Sequence, residues 1–103
     1  MGMFECRTFA PGETAESKTT YFYGRESKFE QAWDAVVVYL SNDSRWKDSP
    51  SVRKSVADID DHIADKEFEP RSPFNFNFFE TAQEVPVGFE IREVRKRAFF
   101  RLL

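Results

Sequence analysis

The stretch "RSPFNFNFFE", residues 71–80, places four phenylalanines within six positions, with an asparagine in each of the first two gaps. Pro73 restricts the backbone just before this run. Because successive side chains of a β-strand point to opposite faces, the alternation predicts a strand with one aromatic and one more polar face. The two sets are Phe74, Phe76 and Phe78, and Asn75, Asn77 and Phe79. Each buried phenylalanine contributes about 1.5–3 kcal/mol to folding, so the aromatic face needs a second layer of structure to cover it.

The segment upstream contains a first amphipathic helix that would supply this cover. Ser27 and Glu30 form a capping-box pattern, in which each side chain accepts a hydrogen bond from the other residue's backbone N–H. This pattern predicts a helix start. One apolar stripe then follows at helical spacing. Its members are Phe29, Trp33, Val36, Val37 and Leu40. The polar run Ser41-Asn42-Asp43 predicts the end of this helix.

A second amphipathic helix is predicted after a short loop. Ser49 and Pro50 form its start signal, a capping residue followed by proline at the first helical position. Four apolar residues then recur at helical spacing. They are Val52, Val56, Ile59 and Ile63. We expect this helix to end near Lys66, before Pro70, and the loop residue Trp46 to fold back onto the two helices.

Three further strands are predicted from period-two patterns. Residues 3–10 alternate loosely, and "TTYFYG", residues 19–24, forms a second strand that ends at Gly24. These two strands are expected to form a hairpin around the polar loop 11–18. Residues 85–91 alternate strictly between apolar and other residues, which predicts a fourth strand, antiparallel to the aromatic one.

The C-terminal residues 94–103 are compatible with two structures. The apolar phase slips after Ile91, as a β-bulge near Glu93 would produce, and this favours one long bent strand or two strands in tandem. The same residues also fit a helix, because Ile91, Val94, Ala98 and Leu102 recur at helical spacing. With no capping residue or glycine between the halves, we favour the strand, and the sequence leaves the choice open.

We therefore predict a single α+β domain over residues 1–103, with Met1-Gly2 interpreted as a cloning remnant. An antiparallel sheet of about four strands carries two helices packed on one face, in the order β-β-α-α-β-β. Twelve Phe and eight Val, against three Leu and three Ile, favour such a sheet-centred core. Phe74, Phe76 and Phe78 are expected to contact the helices at Trp33, Val37, Val56 or Ile59.

Composition narrows the classes of function. The net charge is −3 and the pI is near 5.2, so overall charge does not draw this chain to nucleic acid or to an anionic membrane. Cys6 is the only cysteine, which excludes an internal disulfide and a thiolate metal cluster and indicates a reducing compartment. No apolar run is long enough for a membrane span. We therefore expect a cytoplasmic location.

No arrangement typical of catalysis is visible. His62, the sole histidine, has Asp58 four residues before it and Asp65 three after it, a spacing at which a metal could be held. Such charge runs are more often solvated helix faces, and we predict no metal here. Cys6 with His62 is a weak candidate for a thiolate pair, since lone cysteines are commonly buried. Without a Gly-x-Ser-x-Gly turn or a glycine-rich phosphate loop, the sequence predicts neither an enzyme nor a cofactor.

The charges form two clusters. Residues 57–69, here called the acidic segment, carry six acids against Lys66, a net charge of −5. Residues 92–103, the basic segment, carry five bases against Glu93, a net charge of +4. The bases are Arg92, Arg95, Lys96, Arg97 and Arg101. Either the two clusters compensate each other across the sheet, or one of them faces a partner.

Two functions follow from this charge map. In the first, the acidic helix meets a basic protein surface through Asp58, Asp61 and Asp65, and the protein is a small binding, adaptor or inhibitor module. In the second, the basic segment binds single-stranded nucleic acid by phosphate contact and aromatic stacking. Net acidity makes the second the harder case, so we favour the first.

Self-association is compatible with the sequence but is not required by it. Val38 and Tyr39 lie off the apolar stripe of the first helix, and the sheet is expected to leave an edge or an aromatic face open. A homo-oligomer is therefore a further candidate partner.

Overall fold

A computed structural model of the chain describes residues 2–11, 19–78 and 86–95. These residues form an antiparallel four-stranded sheet and two helices, in the predicted order β-β-α-α-β-β. The elements are β1 (Gly2–Ala10), β2 (Thr19–Glu26), α1 (Phe29–Asn42), α2 (Pro50–Ile63), β3 (Phe74–Phe78) and β4 (Val87–Arg95). The sheet order is β2-β1-β4-β3, so the first and last strands lie side by side at its centre.

Strand pairing confirms both predicted hairpins. β1 pairs with β2 and β3 pairs with β4, each antiparallel. β2 runs two residues beyond its predicted end at Gly24, to Glu26. The loop residues 12–18 and Val85 lie outside the described residues.

The bulge predicted near Glu93 is wrong. The register of β1 with β4 is regular from Gly2↔Arg95 to Phe9↔Gly88, so β4 continues as a strand to Arg95. Residues 96–103, where strand and helix were the alternatives, lie outside the described part of the chain. A register shift occurs between β1 and β2 instead, where Thr8 pairs with Phe22 and Phe9 with Thr20. Tyr21 has no opposite residue on β1 at this shift, so its side chain turns toward the helices.

The capping box predicted for α1 is wrong, whereas the cap of α2 is confirmed. Lys28 occupies the N-cap of α1 without a side-chain bond, and the Ser27 hydroxyl donates to Gln31 Oε1 at 3.2 Å. At α2, Ser49 Oγ accepts the Val52 N–H at 3.2 Å. α2 ends three residues earlier than predicted, at Ile63, because the chain then enters a turn.

Both helices cover one face of the sheet, and the core lies between the two layers. Trp46, in the loop between the helices, is fully buried in the core, which confirms that this loop folds inward. Its ring lies 5.0 Å from the ring of Tyr21, centroid to centroid. The other fully buried side chains of this core include Cys6, Val36, Leu40, Val87, Phe89 and Ile91.

The cover predicted for the aromatic strand is only partly present. Phe74 is half-buried, and its ring packs against Phe29, Phe68 and Phe89 at centroid distances of 5.4, 5.8 and 5.8 Å. The prediction that the whole face is covered is wrong for Phe76, which is 48% exposed. The rings of Phe29 and Phe68 meet β3 at Phe74, and Phe76 lies further along the strand. The Phe78 side chain and Phe79 lie outside the described residues.

Candidate functional site

The acidic segment lies on α2 and in the turn that follows it. Asp58 and Asp61 are exposed on the helix, but Asp65 lies beyond the helix end at Ile63. The prediction that all three carboxylates belong to the acidic helix is therefore wrong for Asp65. Its carboxylate accepts the Glu67 N–H at 2.8 Å, and this bond helps to close the turn. Among the described residues, none of these carboxylates forms an ion pair.

Asp60, in the same segment, has a structural role that the sequence did not reveal. The indole Nε1–H of Trp33 donates to Asp60 Oδ1 at 2.6 Å, so this carboxylate connects α2 to α1. A buried tryptophan N–H usually donates to an acceptor, so the sequence could indicate that Trp33 has a hydrogen-bond partner. It did not identify which of the neighbouring acids would accept.

A groove of about 430 Å³ lies between the end of α2 and the outer strand β3. Phe68 is half-buried in it, with its ring edge-to-face with His62 at 5.1 Å and with Phe74 at 5.8 Å. Glu67 and Glu69 stand on its rim, beside Arg71. We call this feature the acidic groove. It combines an aromatic floor with exposed carboxylates, an arrangement suited to a cationic segment that also carries an apolar side chain.

The catalytic and metal candidates have different surroundings. His62 is exposed and packs on Phe68. Among the described residues, no group of three or more histidine, cysteine or acidic side chains is arranged to hold a metal ion. Cys6 is fully buried beneath the helices, and this burial raises the pKa of its thiol. A raised pKa disfavours the thiolate, which is the nucleophilic form.

Among the five bases of the basic segment, the structure describes the side chain of Arg92. Arg92 lies on the face of the sheet opposite the helices, here called the open face, and its guanidinium is 3.5 Å from Glu90. Arg95 ends β4, and its side chain is outside the described set. Lys96, Arg97 and Arg101 also lie outside the described residues.

Two arginines that the sequence reasoning missed join Arg92 on the open face. Arg7 and Arg25 come from β1 and β2, and strand register places Arg7 opposite Glu90 and Arg25 opposite Glu5. Alternation opposite the apolar face of β1 would have located Arg7. The neighbours on β2 and β4 depend on the sheet order, which the sequence did not predict.

The two carboxylates of the open face are held differently. Glu5 accepts hydrogen bonds from Tyr23 and Arg25, both at 2.7 Å, and these bonds lower its pKa. Glu90 has looser neighbours, with Arg7 at 3.7 Å and Arg92 at 3.5 Å. A cavity of about 120 Å³ lies among these side chains. On the open face, Glu5 is therefore more tightly paired than Glu90.

The side of the molecule formed by α1 and β2 contains a further groove, of about 540 Å³. Val38, 59% exposed, lies on its wall, and Tyr39 stacks on Phe22 at 5.0 Å. Self-association through this side stays a prediction, which light scattering at several concentrations tests. A monomer at every concentration would contradict it.

Comparison of the chain with known protein families, with curated proteins and with solved structures finds no match to any of them. In the described part of the chain, no helix has the length and apolar character needed to cross a membrane. Function is accordingly inferred from the residues of this chain alone.

Proposed function

We propose that this protein is a small, non-enzymatic, cytoplasmic binding, adaptor or inhibitor protein that holds a basic segment of another protein in the acidic groove. One observation carries the proposal. The groove joins an aromatic floor, formed by Phe68 and Phe74, to the carboxylates of Glu67 and Glu69 on its rim. The carboxylates would attract the positive charges of a basic segment, and the aromatic floor would contact its apolar side chain.

The charge of the groove region supports a basic partner. The acidic segment has a net charge of −5. The ion pairs found among the described residues lie elsewhere, at Glu5, Asp43, Asp48 and Glu90. Carboxylates that are not neutralised within the fold steer a cationic partner toward the surface and fix its orientation. This favours the partner-binding interpretation of the acidic segment over internal compensation.

The aromatic floor and the outer strand add two further contributions. Phe68 and Phe74 are each half-buried, so an apolar side chain laid against them removes more aromatic surface from water. β3 is an outer strand of the described sheet, and an outer strand offers backbone groups to an extended segment. Neither contribution is screened by salt, unlike the contribution of the carboxylates.

The non-enzymatic part of the proposal rests on the side chains available. His62 is the sole histidine, and it packs at the surface on Phe68. The sequence contains no Gly-x-Ser-x-Gly turn that would present a serine nucleophile, and burial disfavours the Cys6 thiolate. A calorimetric screen with zinc and manganese tests this part. Micromolar binding that is lost in His62→Ala would contradict it.

Two sets of variants test the acidic groove. The first changes Asp58, Asp61 and Asp65 to Asn, and the second changes Glu67 and Glu69 to Gln, which removes charge while keeping shape. The control is Asp48→Asn, since Asp48 is a carboxylate 80% exposed that pairs with Arg53. The ligands are basic peptides with one aromatic residue, and any protein captured from a lysate by the unaltered chain.

We expect peptide affinity to fall about tenfold in each variant set, as the loss of several interfacial charges implies. The control should bind like the unaltered protein, and added salt should weaken binding by the unaltered protein more than binding by the variants. Equal binding by all proteins, or equal binding of acidic peptides, would overturn the proposal.

The alternative function, single-stranded nucleic-acid binding through the basic segment, keeps one observation in its favour. Arg92 stands on the open face beside two further arginines, Arg7 and Arg25. Mixed single-stranded RNA and DNA, titrated at low and moderate salt, test it. Salt-sensitive binding that weakens in the double variant Arg95→Ala, Arg97→Ala would favour this alternative over the acidic groove.

A further inference from the structure

The open face of the sheet brings two arginines from its central strands to one cavity. Arg7 on β1 is opposite Glu90 on β4, and Glu5 is opposite Arg92, so the two arginines lie diagonally across the strand pair. Both border the cavity of about 120 Å³, together with Tyr23 and the carboxylates Glu5 and Glu90. The side chains of Arg7 and Arg92 are 40% and 54% exposed, so their outer nitrogens are accessible.

The ion pairs of these two arginines are looser than the pair that Arg25 forms with Glu5. Arg25 donates to Glu5 at 2.7 Å. Glu90 is shared between Arg7 at 3.7 Å and Arg92 at 3.5 Å, and both distances exceed those of an ordinary charge-assisted hydrogen bond. The Nε–H of Arg7 is also inaccessible to solvent and finds no acceptor among the described residues. Arg7 therefore has an N–H donor without an acceptor in the described part of the chain and only a loose ion pair with Glu90.

We propose that the cavity between Arg7 and Arg92 is a binding site for a phosphate group, either of a small phosphate ester or of a nucleic-acid backbone. Guanidinium groups match the oxygens of phosphate in charge and in planar donor geometry. Because the Arg7 Nε–H is itself inaccessible, the phosphate contacts the outer nitrogens of both guanidinium groups. The site is separate from the acidic groove and needs no residue beyond β4, so it stands independently of the proposed function.

Neighbouring side chains affect the affinity of this site and the kind of phosphate that it prefers. Glu90, 16% exposed, lies between the two arginines and repels an anion there, which keeps the affinity low. The Tyr23 hydroxyl donates to Glu5, but its ring belongs to a residue that is 52% exposed. An exposed aromatic ring beside a phosphate site offers a stacking surface for a base. A nucleotide phosphate would thus gain a contact that inorganic phosphate lacks.

The test uses four single-residue variants of the full chain and three probes. Arg7→Gln and Arg92→Gln remove one cation each, and Glu90→Gln removes the opposing charge. The control is Arg53→Gln, an exposed arginine on α2 that pairs with Asp48. The probes are inorganic phosphate, a nucleoside monophosphate and a mixed single-stranded oligonucleotide, titrated at low salt. Thermal unfolding verifies that each variant is folded, and the side-chain NMR signal of the Arg7 Nε–H reports binding in the unaltered protein.

We expect a saturable shift of the Arg7 Nε–H signal with at least one probe. Affinity should fall about tenfold in Arg7→Gln and in Arg92→Gln, the size of one charge-assisted contact. It should rise in Glu90→Gln and stay unchanged in Arg53→Gln. Binding of all three probes points to the phosphate group alone, and binding of the oligonucleotide only points to a nucleic-acid backbone.

Two results would overturn the proposal. One is the absence of a saturable Arg7 shift with every probe. The other is binding that the Arg53→Gln control loses as strongly as Arg7→Gln, since this would indicate general attraction to positive charge. Because none of these variants alters the acidic groove, this site and the proposed function can fail separately.

Discussion

The indole Nε1–H of Trp33 donates to Asp60 Oδ1 at 2.6 Å, and this bond joins the two helices. Trp33 is 3% exposed, so Asp60→Ala leaves a nearly buried donor without its acceptor. We expect a loss of about 1–3 kcal/mol in the free energy of unfolding, measured by urea denaturation with tryptophan fluorescence. Asp60→Asn keeps an acceptor oxygen and should lose less.

The neighbouring carboxylate Asp61 is the matched control for this experiment. It is exposed on the same helix, so Asp61→Ala should change the free energy of unfolding by no more than about 0.5 kcal/mol. Equal effects of the alanine variants at the two positions would show that the Trp33 contact does not stabilise the fold. The same contrast separates Asp60, which holds the helices together, from the carboxylates assigned to partner binding.

Thr8 offers a change that should stabilise the protein. It is fully buried on β1, and its hydroxyl has no hydrogen-bond partner among the described residues. A buried polar group without a partner costs about 1–3 kcal/mol, and valine replaces the hydroxyl by a methyl group of similar size. We expect Thr8→Val to raise the free energy of unfolding by about 1 kcal/mol. Thr8→Ser keeps the hydroxyl and removes a methyl group, so this variant should lower the free energy of unfolding.

Local signals predicted most of the elements. Ser49 and Pro50 marked the start of α2 because their effect needs only the adjacent turn. The strict alternation through Phe89 predicted β4 because each second side chain is buried. Trp46 was expected to fold inward because a large aromatic ring between two amphipathic helices has apolar surface on both sides.

Features that depend on distant residues were missed. The capping box failed because β2 pairs with β1 as far as Glu26, opposite Phe4, and α1 begins only at Phe29, so Lys28 takes the cap position. The exposure of Phe76 depends on where the cover of β3 ends. The arginine cluster of the open face requires β1 to lie between β2 and β4, and no short-range pattern specifies that order.

Gly88 lies where the open face has no room for a side chain. A Cβ at this position would come within 2.8 Å of the Phe9 ring and would also meet the Asn77 side chain. Gly88→Ala should therefore lower the free energy of unfolding by about 1–3 kcal/mol, the usual cost of forced overpacking. Gly24 is the comparison, since its Cβ would be 3.2 Å from Phe22 and 3.3 Å from Cys6 Sγ. We expect a smaller loss for Gly24→Ala, and the reverse order would contradict this account.

Asp43 and Arg45 give the protein part of its sensitivity to acid. Arg45 donates to both carboxylate oxygens of Asp43, at 3.0 and 2.9 Å, and its guanidinium lies over the rings of Tyr21 and Trp46 at 4.1 and 4.3 Å. The side-chain bonds from Arg45, together with its backbone N–H and the Tyr39 hydroxyl, hold the pKa of Asp43 well below its ordinary value of 3.8. In the unfolded chain this carboxyl returns to its ordinary pKa.

The unfolded state therefore binds more protons at Asp43 than the folded state as the pH falls below about 4. Stability from this carboxylate is fully present above that pH and is lost as the pH falls toward the lowered pKa. In Arg45→Gln the pKa of Asp43 should move toward its ordinary value, and the decline of unfolding free energy between about pH 4 and pH 2 should become shallower. Urea denaturation across this range and NMR titration of the Asp43 carboxyl measure both effects. The control is Arg53→Gln, whose partner Asp48 is 80% exposed, and it should leave the decline unchanged. A decline equally steep in Arg45→Gln would show that the pairing of Asp43 with Arg45 does not stabilise the fold.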